Sequence, residues 1–284
     1  MATDDQVLVL GATSLVGRFL VPRLASRAGD VLALSRATRP ARDGVRWILG
    51  DLSQPAGLAA AGRVHAVFSL SPIWLLTDPA LEALHGFGMR RLVAFSSTSR
   101  FTKASSTSEH ERATAAALAA GEARVETFCR ARGVGYTLLR PTLIYAEGED
   151  GNVSRLAGLI RRFAILPLPG SGAGLRQPVH ADDLAEVALE AMRRPATDRA
   201  YDVPGGETLT YRQMVGRIYE GLGRRPMILS LPLPLVRMGY ALARPWLPGS
   251  TAAMVERVGE NLTFDPGPAQ RDLGWSPRAF RPRF

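Results

Sequence analysis

Short runs of apolar residues alternate with longer segments in which apolar residues recur every three or four positions along the first two-thirds of the chain. The short runs predict β-strands and the longer segments predict helices. Six strands are predicted: Val7–Leu10, Val31–Ser35, Val45–Leu49, Ala66–Leu70, Arg91–Ser96 and Tyr136–Arg140. Because strands that alternate with helices form parallel crossovers, this pattern predicts an α/β fold with a doubly wound parallel sheet.

The helical segments follow the strands in order. Their predicted ranges are Leu15–Arg27, Pro79–His85, Ser108–Arg132 and Val153–Phe163, with further helices beginning near Asp182 and Tyr211. Ser108 is predicted to cap the third helix, with Glu111 completing a capping box. From about residue 145 the chain is punctuated by Gly and Pro, which predicts a smaller C-terminal region. We therefore divide the chain into a core, 1–145, and a region, 146–284, that is interleaved with the core and shapes the substrate pocket.

Composition places the chain among ordinary globular proteins. Of its 284 residues, 46% are hydrophobic and 21% are charged, which excludes disordered and fibrous classes. The formal charge of +9 would suit a polyanionic partner. However, the only lysine is Lys103, and the arginines that supply the rest of the positive charge are scattered along the chain. We therefore expect no nucleic-acid partner.

The cysteine content predicts a reducing, cytoplasmic compartment. Cys129 is the single cysteine, so no intramolecular disulfide forms, and no Cys/His spacing resembles a metal site. The most apolar later stretch, residues 227–247, contains three prolines and two arginines, which disfavours a transmembrane segment. Two interpretations of this stretch stay open: weak contact with a membrane surface, or the lining of a substrate pocket.

A glycine-containing turn after the first strand predicts a phosphate-binding site. Gly11 permits a tight turn, Gly17 permits close helix–sheet packing, and the helix N-terminus offers free N–H groups and a positive dipole end. The residues predicted to contact a dinucleotide here are Gly11, Thr13, Ser14, Leu15, Val16 and Gly17. The turn therefore predicts an NAD(P)-binding, Rossmann-type core over residues 1–145.

Further motifs accompany this turn: Gly50-Asp51-Leu52, Phe95-Ser96-Ser97-Thr98, Leu139-Arg140-Pro141-Thr142 and Gln177-Pro178-Val179-His180. Together they resemble the extended and atypical short-chain dehydrogenase/reductases, the branch that includes NAD-dependent epimerase/dehydratase proteins, over nearly the whole chain. The resemblance implies further cofactor contacts from Asp51, Leu52, Ser69, Leu70, Ser96 and Pro141. Ser14 stands where that family has its middle glycine. Since a hydroxyl can donate to a phosphate, we expect phosphate binding to be retained.

The end of the second strand predicts which dinucleotide is bound. A ribose 2′-hydroxyl is usually met by an acidic residue there, whereas a 2′-phosphate is met by a hydroxyl and a guanidinium. Ser35 and Arg36 occupy this place. They favour NADP, with NAD and a solvated Arg36 as the alternative.

The resemblance breaks at the residues that carry proton transfer. The family's base is a tyrosine four residues before a lysine, but Ser99 stands four residues before Lys103, and the long helix offers neither partner. Two outcomes are open: a dinucleotide-binding protein without the usual hydride chemistry, or an altered active site. For an altered site, the resemblance points to Thr98 and Ser97 after the fifth strand, and Lys103 follows them.

Downstream residues predict the substrate region. Arg176 matches an arginine that extended family members place on a substrate phosphate, and Tyr145 closes the Arg140-Pro-Thr-Leu-Ile-Tyr segment. Leu143 replaces the asparagine of sugar-nucleotide enzymes, which argues against a nucleotide-sugar substrate. His180 is predicted to be a hydrogen-bonded structural residue. Asp182 and Asp183 are predicted to serve as helix cap and first-turn charges.

These observations predict an NADP-preferring oxidoreductase or epimerase-like enzyme that acts on a small carbonyl or hydroxyl compound. The alternative is a non-catalytic dinucleotide-binding sensor or accessory subunit, which the missing Tyr/Lys pair favours. The Ala-rich Ser108–Arg132 helix resembles the element through which family members often dimerise, so a homodimer is one of the oligomeric states that stay open.

Overall fold

A computed structural model of the protein describes residues 6–28, 31–232, 234–236 and 257–284. The strands are β1 (Val7–Leu10), β2 (Val31–Ser35), β3 (Val45–Leu49), β4 (Ala66–Ser69), β5 (Arg91–Phe95), β6 (Gly135–Pro141), β7 (Ile144–Tyr145), β8 (Leu166–Pro169), β9 (Leu175–Arg176), β10 (Val179–His180), β11 (Arg199–Val203), β12 (Leu209–Thr210) and β13 (Ile228–Leu231). Seven of them form one parallel sheet in the order β11-β6-β5-β4-β1-β2-β3. This Rossmann-like α/β fold confirms the predicted fold class.

The helices of the described residues are α1 (Leu15–Ala28), α2 (Asp78–Gly86), α3 (Ser99–Thr102), α4 (Glu109–Arg132), α5 (Val153–Phe163), α6 (Ala181–Arg193), α7 (Tyr211–Gly221) and α8 (Gly267–Leu273). The ranges predicted for the six strands and the first four helices agree with the structure within one residue at each end. The short helix α3 was not predicted.

Helices cover both faces of the large sheet. Successive residues of a strand point to opposite faces, so neighbouring residues of β1 pack against different helices. Val9 packs in a cluster with residues of α1 and α6, whereas Leu8 packs in a second cluster with residues of α2 and α4. Both residues are completely buried. Strand β1 is thereby fixed at the centre of the sheet.

The C-terminal region contributes to the large sheet and also has a small core of its own. Strand β11 pairs with β6, and α6 packs on α1, so the chain beyond residue 146 completes the Rossmann layer. Residues of α5, α7 and β8 form a separate apolar cluster around Tyr145 and Phe280. Of the apolar stretch 227–247, residue 233 and the part from residue 237 lie outside the described residues. In the described part of the chain, no helix has the length and apolar character needed to cross a bilayer.

Two predicted helix caps are wrong. The Ser108 side chain makes no capping bond, and Glu111 turns instead to the Ser106 hydroxyl at 2.7 Å and to Arg257 at 2.6 Å. An ion pair to a buried carboxylate replaces the capping box here. Helix α6 is capped by His180, whose Nδ1 accepts the backbone N–H of Asp182 at 3.0 Å. Asp182 therefore lies in the first turn and is not the cap.

Candidate dinucleotide site and its surroundings

The carboxyl ends of β1, β4, β5 and β6 lie at one edge of the sheet, which brings the predicted motifs together. The strand order reverses between β1 and β4, and open α/β sheets bind their ligands at such a switch point. Gly11 follows β1, Ser69 ends β4, Ser96 follows β5 and Pro141 ends β6.

The turn after β1 requires glycine at two positions. Gly11 has φ +70°, and a Cβ there would lie 2.8 Å from the backbone of Leu70 and Ser71. A Cβ on Gly17 would lie 2.3 Å from the carbonyl oxygen of Ala12. At both positions backbone lies against backbone, which only glycine allows, and the turn places the N-terminus of α1 just after the end of β1. A helix N-terminus in this place is where a pyrophosphate would bind.

Ser14 caps helix α1. Its Oγ accepts the backbone N–H of Gly17 at 3.2 Å, while its own N–H donates to the Gly11 carbonyl at 2.9 Å. Because the hydroxyl accepts in this contact, its proton is free to donate to a phosphate. The N–H groups of Leu15 and Val16, in the first turn, have no intrahelical acceptor. Ser14 therefore caps the helix at the position where the resemblance implies a glycine, and this cap does not use its hydroxyl proton.

A buried, unpartnered hydroxyl lies beside this turn. Ser69 Oγ is fully buried and has no hydrogen-bond partner among the described residues. The backbone N–H of Leu70 is bonded to the Leu10 carbonyl at 2.9 Å and holds β4 against β1, and a cofactor contact by Leu70 stays a prediction. An orphaned polar atom, a glycine cradle and a capped helix N-terminus are together a fit for a dinucleotide.

The loop after β3 carries the predicted adenine contacts. Asp51 Oδ1 accepts from the backbone N–H and the hydroxyl of Ser53, at 2.9 and 2.8 Å. These hydrogen bonds, with a smaller contribution from Arg36, hold the pKa of Asp51 below its ordinary value. Leu52 is buried in the apolar cluster under this loop. Asp51 is therefore a half-buried carboxylate, ionised at neutral pH, in the loop that follows β3.

Two arginines lie at the end of β2, where only one was predicted to matter. The Ser35 hydroxyl is buried, donates to the carbonyl of Ala37 at 2.7 Å, and accepts from Arg39 Nε at 3.3 Å. Arg36 and Arg39 are both exposed. The structure therefore adds Arg39 to the predicted Ser35 and Arg36. In the sequence, Arg39 was recognisable as a second arginine three residues after Arg36.

A buried ion cluster underlies the ends of β5 and β6. Glu122 of α4 accepts from the Ser96 hydroxyl at 2.5 Å, from Arg140 Nε at 3.0 Å and from Arg100. Burial would raise the pKa of Glu122, but hydrogen bonds from Arg140 and Ser96 outweigh it and hold the pKa below its ordinary value. The carboxylate is thus ionised and fully engaged.

Of the predicted proton-transfer residues, Ser97 and Lys103 are half-buried and Thr98 is buried. Ser97 Oγ accepts the backbone N–H of Ser99 at 3.1 Å, which leaves its own proton free. Thr98 is buried and its hydroxyl donates to the Pro141 carbonyl at 3.0 Å. Lys103 is half-buried, with Nζ 3.9 Å from Glu111. A cofactor contact by Ser96 and proton transfer by Thr98 stay predictions, and both would require an exchange of these hydrogen bonds.

The predicted substrate residues lie deeper than the sequence suggested. Arg176 is buried and donates to the carbonyls of Leu175, Glu260 and Arg257 at 2.8, 2.6 and 2.5 Å. Tyr145 is buried with its ring against those of His180 and Phe280, and burial raises its pKa. Substrate contact by either residue stays a prediction.

His180 has the structural role that was predicted for it. While Nδ1 caps α6, Nε2 lies 3.0 Å from a carboxylate oxygen of Glu147. The accepting Nδ1 places the ring proton on Nε2, which donates to Glu147. Among the described residues, no group of three or more His, Cys, Asp or Glu side chains is arranged to hold a metal ion.

Comparison with known proteins confirms the family resemblance. Residues 73–203 match the model of the NAD dependent epimerase/dehydratase family. The chain is 28% identical to a 2-alkyl-3-oxoalkanoate reductase of Stenotrophomonas maltophilia, over 96% of this chain and 95% of the relative.

Two further proteins extend the comparison. The chain is 24% identical to NADH dehydrogenase [ubiquinone] 1 alpha subcomplex subunit 9, mitochondrial, of Arabidopsis thaliana, over 84% of this chain and 62% of that protein. Among solved structures, dTDP-glucose 4,6-dehydratase of Streptomyces venezuelae with NAD bound superposes with a TM-score of 0.72 at 20% identity. The superposition covers 97% of this chain and 92% of that one. This structural likeness shows the fold.

Proposed function

We propose that the protein is an NADP-preferring oxidoreductase that acts on a small carbonyl or hydroxyl compound. Two exposed arginines after β2 carry the cofactor preference, since Arg36 directly follows Ser35 in the sequence and Arg39 Nε donates to the Ser35 hydroxyl. Guanidinium groups match phosphate oxygens in charge and geometry, and a ribose hydroxyl has no need of two of them. When bound, a nicotinamide dinucleotide would supply the hydride chemistry.

The proton of the reaction comes from Ser97 or Lys103 in this proposal. Ser97 has a free hydroxyl proton at the carboxyl end of β5, and Lys103 follows at the C-terminal end of α3. Thr98 holds the end of β6 through Pro141 and thereby positions the loop. Because the Tyr/Lys pair is missing, the proton-transfer step lacks a group usually worth about 10² to 10⁴ in rate, and turnover on simple ketones is slow.

Titration calorimetry with NADPH and NADH tests the cofactor preference. Arg36→Ala and Arg39→Ala are each expected to weaken NADPH binding by about 1.5–3 kcal/mol and to leave NADH binding unchanged. Arg63→Ala, an exposed arginine beyond the opposite end of β4, is the matched control. Equal affinity of the wild type for both dinucleotides, or loss in neither variant, would overturn the NADP preference.

A screen of NADPH oxidation tests the activity. The carbonyl compounds include 3-oxoalkanoates, because the relative from Stenotrophomonas is named a reductase of that class. Quinones and nucleotide sugars are included as rival classes. Turnover that falls in Ser97→Ala and Lys103→Met supports the proposed proton donors, whereas turnover untouched by either substitution places the chemistry elsewhere.

The second candidate is a non-catalytic dinucleotide-binding accessory subunit or sensor. The buried hydrogen bonds of Ser96 and Thr98 favour it, since two hydroxyls at the end of β5 are engaged inside the protein. One relative is named as a subunit of NADH dehydrogenase. Tight NADPH binding with no turnover on any class in the screen would support this candidate over the enzyme.

A further inference from the structure

An exposed apolar surface lies on the small β8–β13 sheet, far in sequence from the dinucleotide turn. The two strands run parallel, with Leu229 opposite Pro167. The outward positions hold Ile165, Pro167, Met227 and Leu229, of which the three larger side chains are 47–52% exposed. Phe163, at the end of α5, is 58% exposed. These five residues form what we name the apolar face.

Arginines border the apolar face. The guanidinium of Arg162 lies 5.1 Å from the centre of the Phe163 ring, and Arg224 donates to the carbonyls of Ile160 and Arg161 at 2.7 and 3.2 Å. Arg225 is exposed beside it. The two segments that build the surface, 151–181 and 221–232, contain no Asp or Glu, and the acidic residues that adjoin their ends are Asp150, Asp182 and Glu220. The surface is therefore both apolar and strongly basic.

The combination of protruding apolar side chains and bordering arginines fits one kind of partner. We propose that the apolar face docks on the surface of an anionic lipid bilayer, with its side chains at the headgroup boundary and Arg161, Arg162, Arg224 and Arg225 on the lipid phosphates. Apolar burial and attraction to anionic headgroups act together in such contacts. A second copy of the chain would bring the same arginines face to face, and like charges at close range oppose that association.

The contact is peripheral and uses none of the residues predicted to bind the dinucleotide. Each arginine near an anionic surface adds attraction that salt screens within a Debye length, so binding should require anionic lipid and should weaken at high salt. Arg162 and Arg161 stack on the rings of Phe163 and Phe284, which holds their charged ends at the border of the face.

Co-sedimentation of the full chain with vesicles tests the proposal. Phosphatidylcholine vesicles are compared with vesicles that also contain phosphatidylglycerol, each at low and high salt. The wild type should bind the anionic vesicles only, and high salt should release it. The double variant Arg162→Gln/Arg225→Gln should bind about tenfold or more weakly. Met227→Ser/Leu229→Ser should lose binding because two apolar side chains no longer enter the headgroup boundary.

Matched controls separate this surface from net charge and general hydrophobicity. Arg63→Gln/Arg90→Gln removes the same number of charges from exposed arginines elsewhere, and Leu49→Ser removes an apolar side chain that is 64% exposed. Both controls should bind like the wild type. The proposal is overturned if the wild type ignores anionic vesicles or if the controls weaken binding equally. It is also overturned if light scattering shows a dimer that Met227→Ser/Leu229→Ser dissolves, because the occupant would then be a second copy.

Discussion

Arg140 on β6 donates from Nε and Nη2 to the two carboxylate oxygens of Glu122 on α4, at 3.0 and 2.5 Å. Glu122 also binds Arg100 and the Ser96 hydroxyl, so one buried carboxylate joins α4, α3 and the ends of two strands. Both Arg100 and Arg140 additionally stack on the ring of Phe101, 5.0 and 5.3 Å from its centre. This cluster fixes the loop that carries Ser97 and Thr98.

Removal of the Glu122 carboxylate should strongly destabilise the protein. Glu122→Ala leaves two guanidiniums without their carboxylate in a site where Glu122 itself is 1% exposed, and we expect a loss of about 3–5 kcal/mol in the free energy of unfolding. Denaturant titration measures it. Glu82→Ala breaks an exposed ion pair with Arg132 and should cost less than about 1 kcal/mol. Similar losses in both variants would contradict the structural role of the cluster.

The same carboxylate should make stability depend on acid pH. Because the pKa of Glu122 is lower in the folded protein than its ordinary value of 4.5, its contribution is fully present above that value. The contribution disappears as the pH falls through the lowered pKa. Between neutral pH and pH of about 3, the wild type should lose more unfolding free energy than Glu122→Gln, which carries no titrating group there. Parallel pH profiles would contradict the assignment.

The sequence predicted the strands and the phosphate turn because both depend on local signals. Gly11 needs a positive φ, and Val7–Leu10 is uniformly apolar. The seventh strand, β11, was missed because Arg199 and Asp202 interrupt its apolar pattern. The Glu122–Arg140 pair was missed because the partners come together only when α4 packs on β6, eighteen residues along the chain. The contact between Arg39 and Ser35 was missed for a similar reason, since it depends on the path of the loop after β2.

Substitution of Ser14 should separate its capping role from its phosphate role. Ser14→Ala removes the acceptor of the Gly17 N–H and should cost about 1 kcal/mol, whereas Ser14→Gly should cost only a few tenths. Thermal unfolding without cofactor measures this, with exposed Thr13→Ala as the control. For NADPH affinity, we expect Ser14→Gly to bind as well as the wild type or better. A tenfold loss in that variant would instead make the hydroxyl a phosphate ligand.

Cys129 should be inert in the native protein. Its side chain is fully buried, and burial raises the pKa of the thiol to about 12, so the reactive thiolate is scarce at neutral pH. We expect iodoacetamide to label the protein only at the rate at which it unfolds. Mass spectrometry after timed labelling, with and without denaturant, measures this. Rapid labelling without denaturant would show that the β6–α4 interface opens under native conditions.

Arg176 provides the sharpest test of whether a predicted substrate residue is a structural one. Its guanidinium binds the carbonyls of Arg257 and Glu260, and Leu262 N–H donates to the Leu175 carbonyl at 2.9 Å, so β9 holds the segment 257–262 in place. Arg176→Ala should therefore lower the unfolding free energy by more than about 2 kcal/mol and increase amide hydrogen exchange in that segment.

The control for Arg176 is Arg281→Ala, an exposed arginine of the same region paired with Glu207, which should cost less than about 1 kcal/mol. Arg176→Lys keeps the charge but cannot reach three carbonyls with a planar fork, so it should fall between alanine and the wild type. A substrate ligand would behave differently. If Arg176→Ala raised the KM for a substrate found in the screen while leaving stability and hydrogen exchange unchanged, its donors would be available to substrate and the structural role would be refuted.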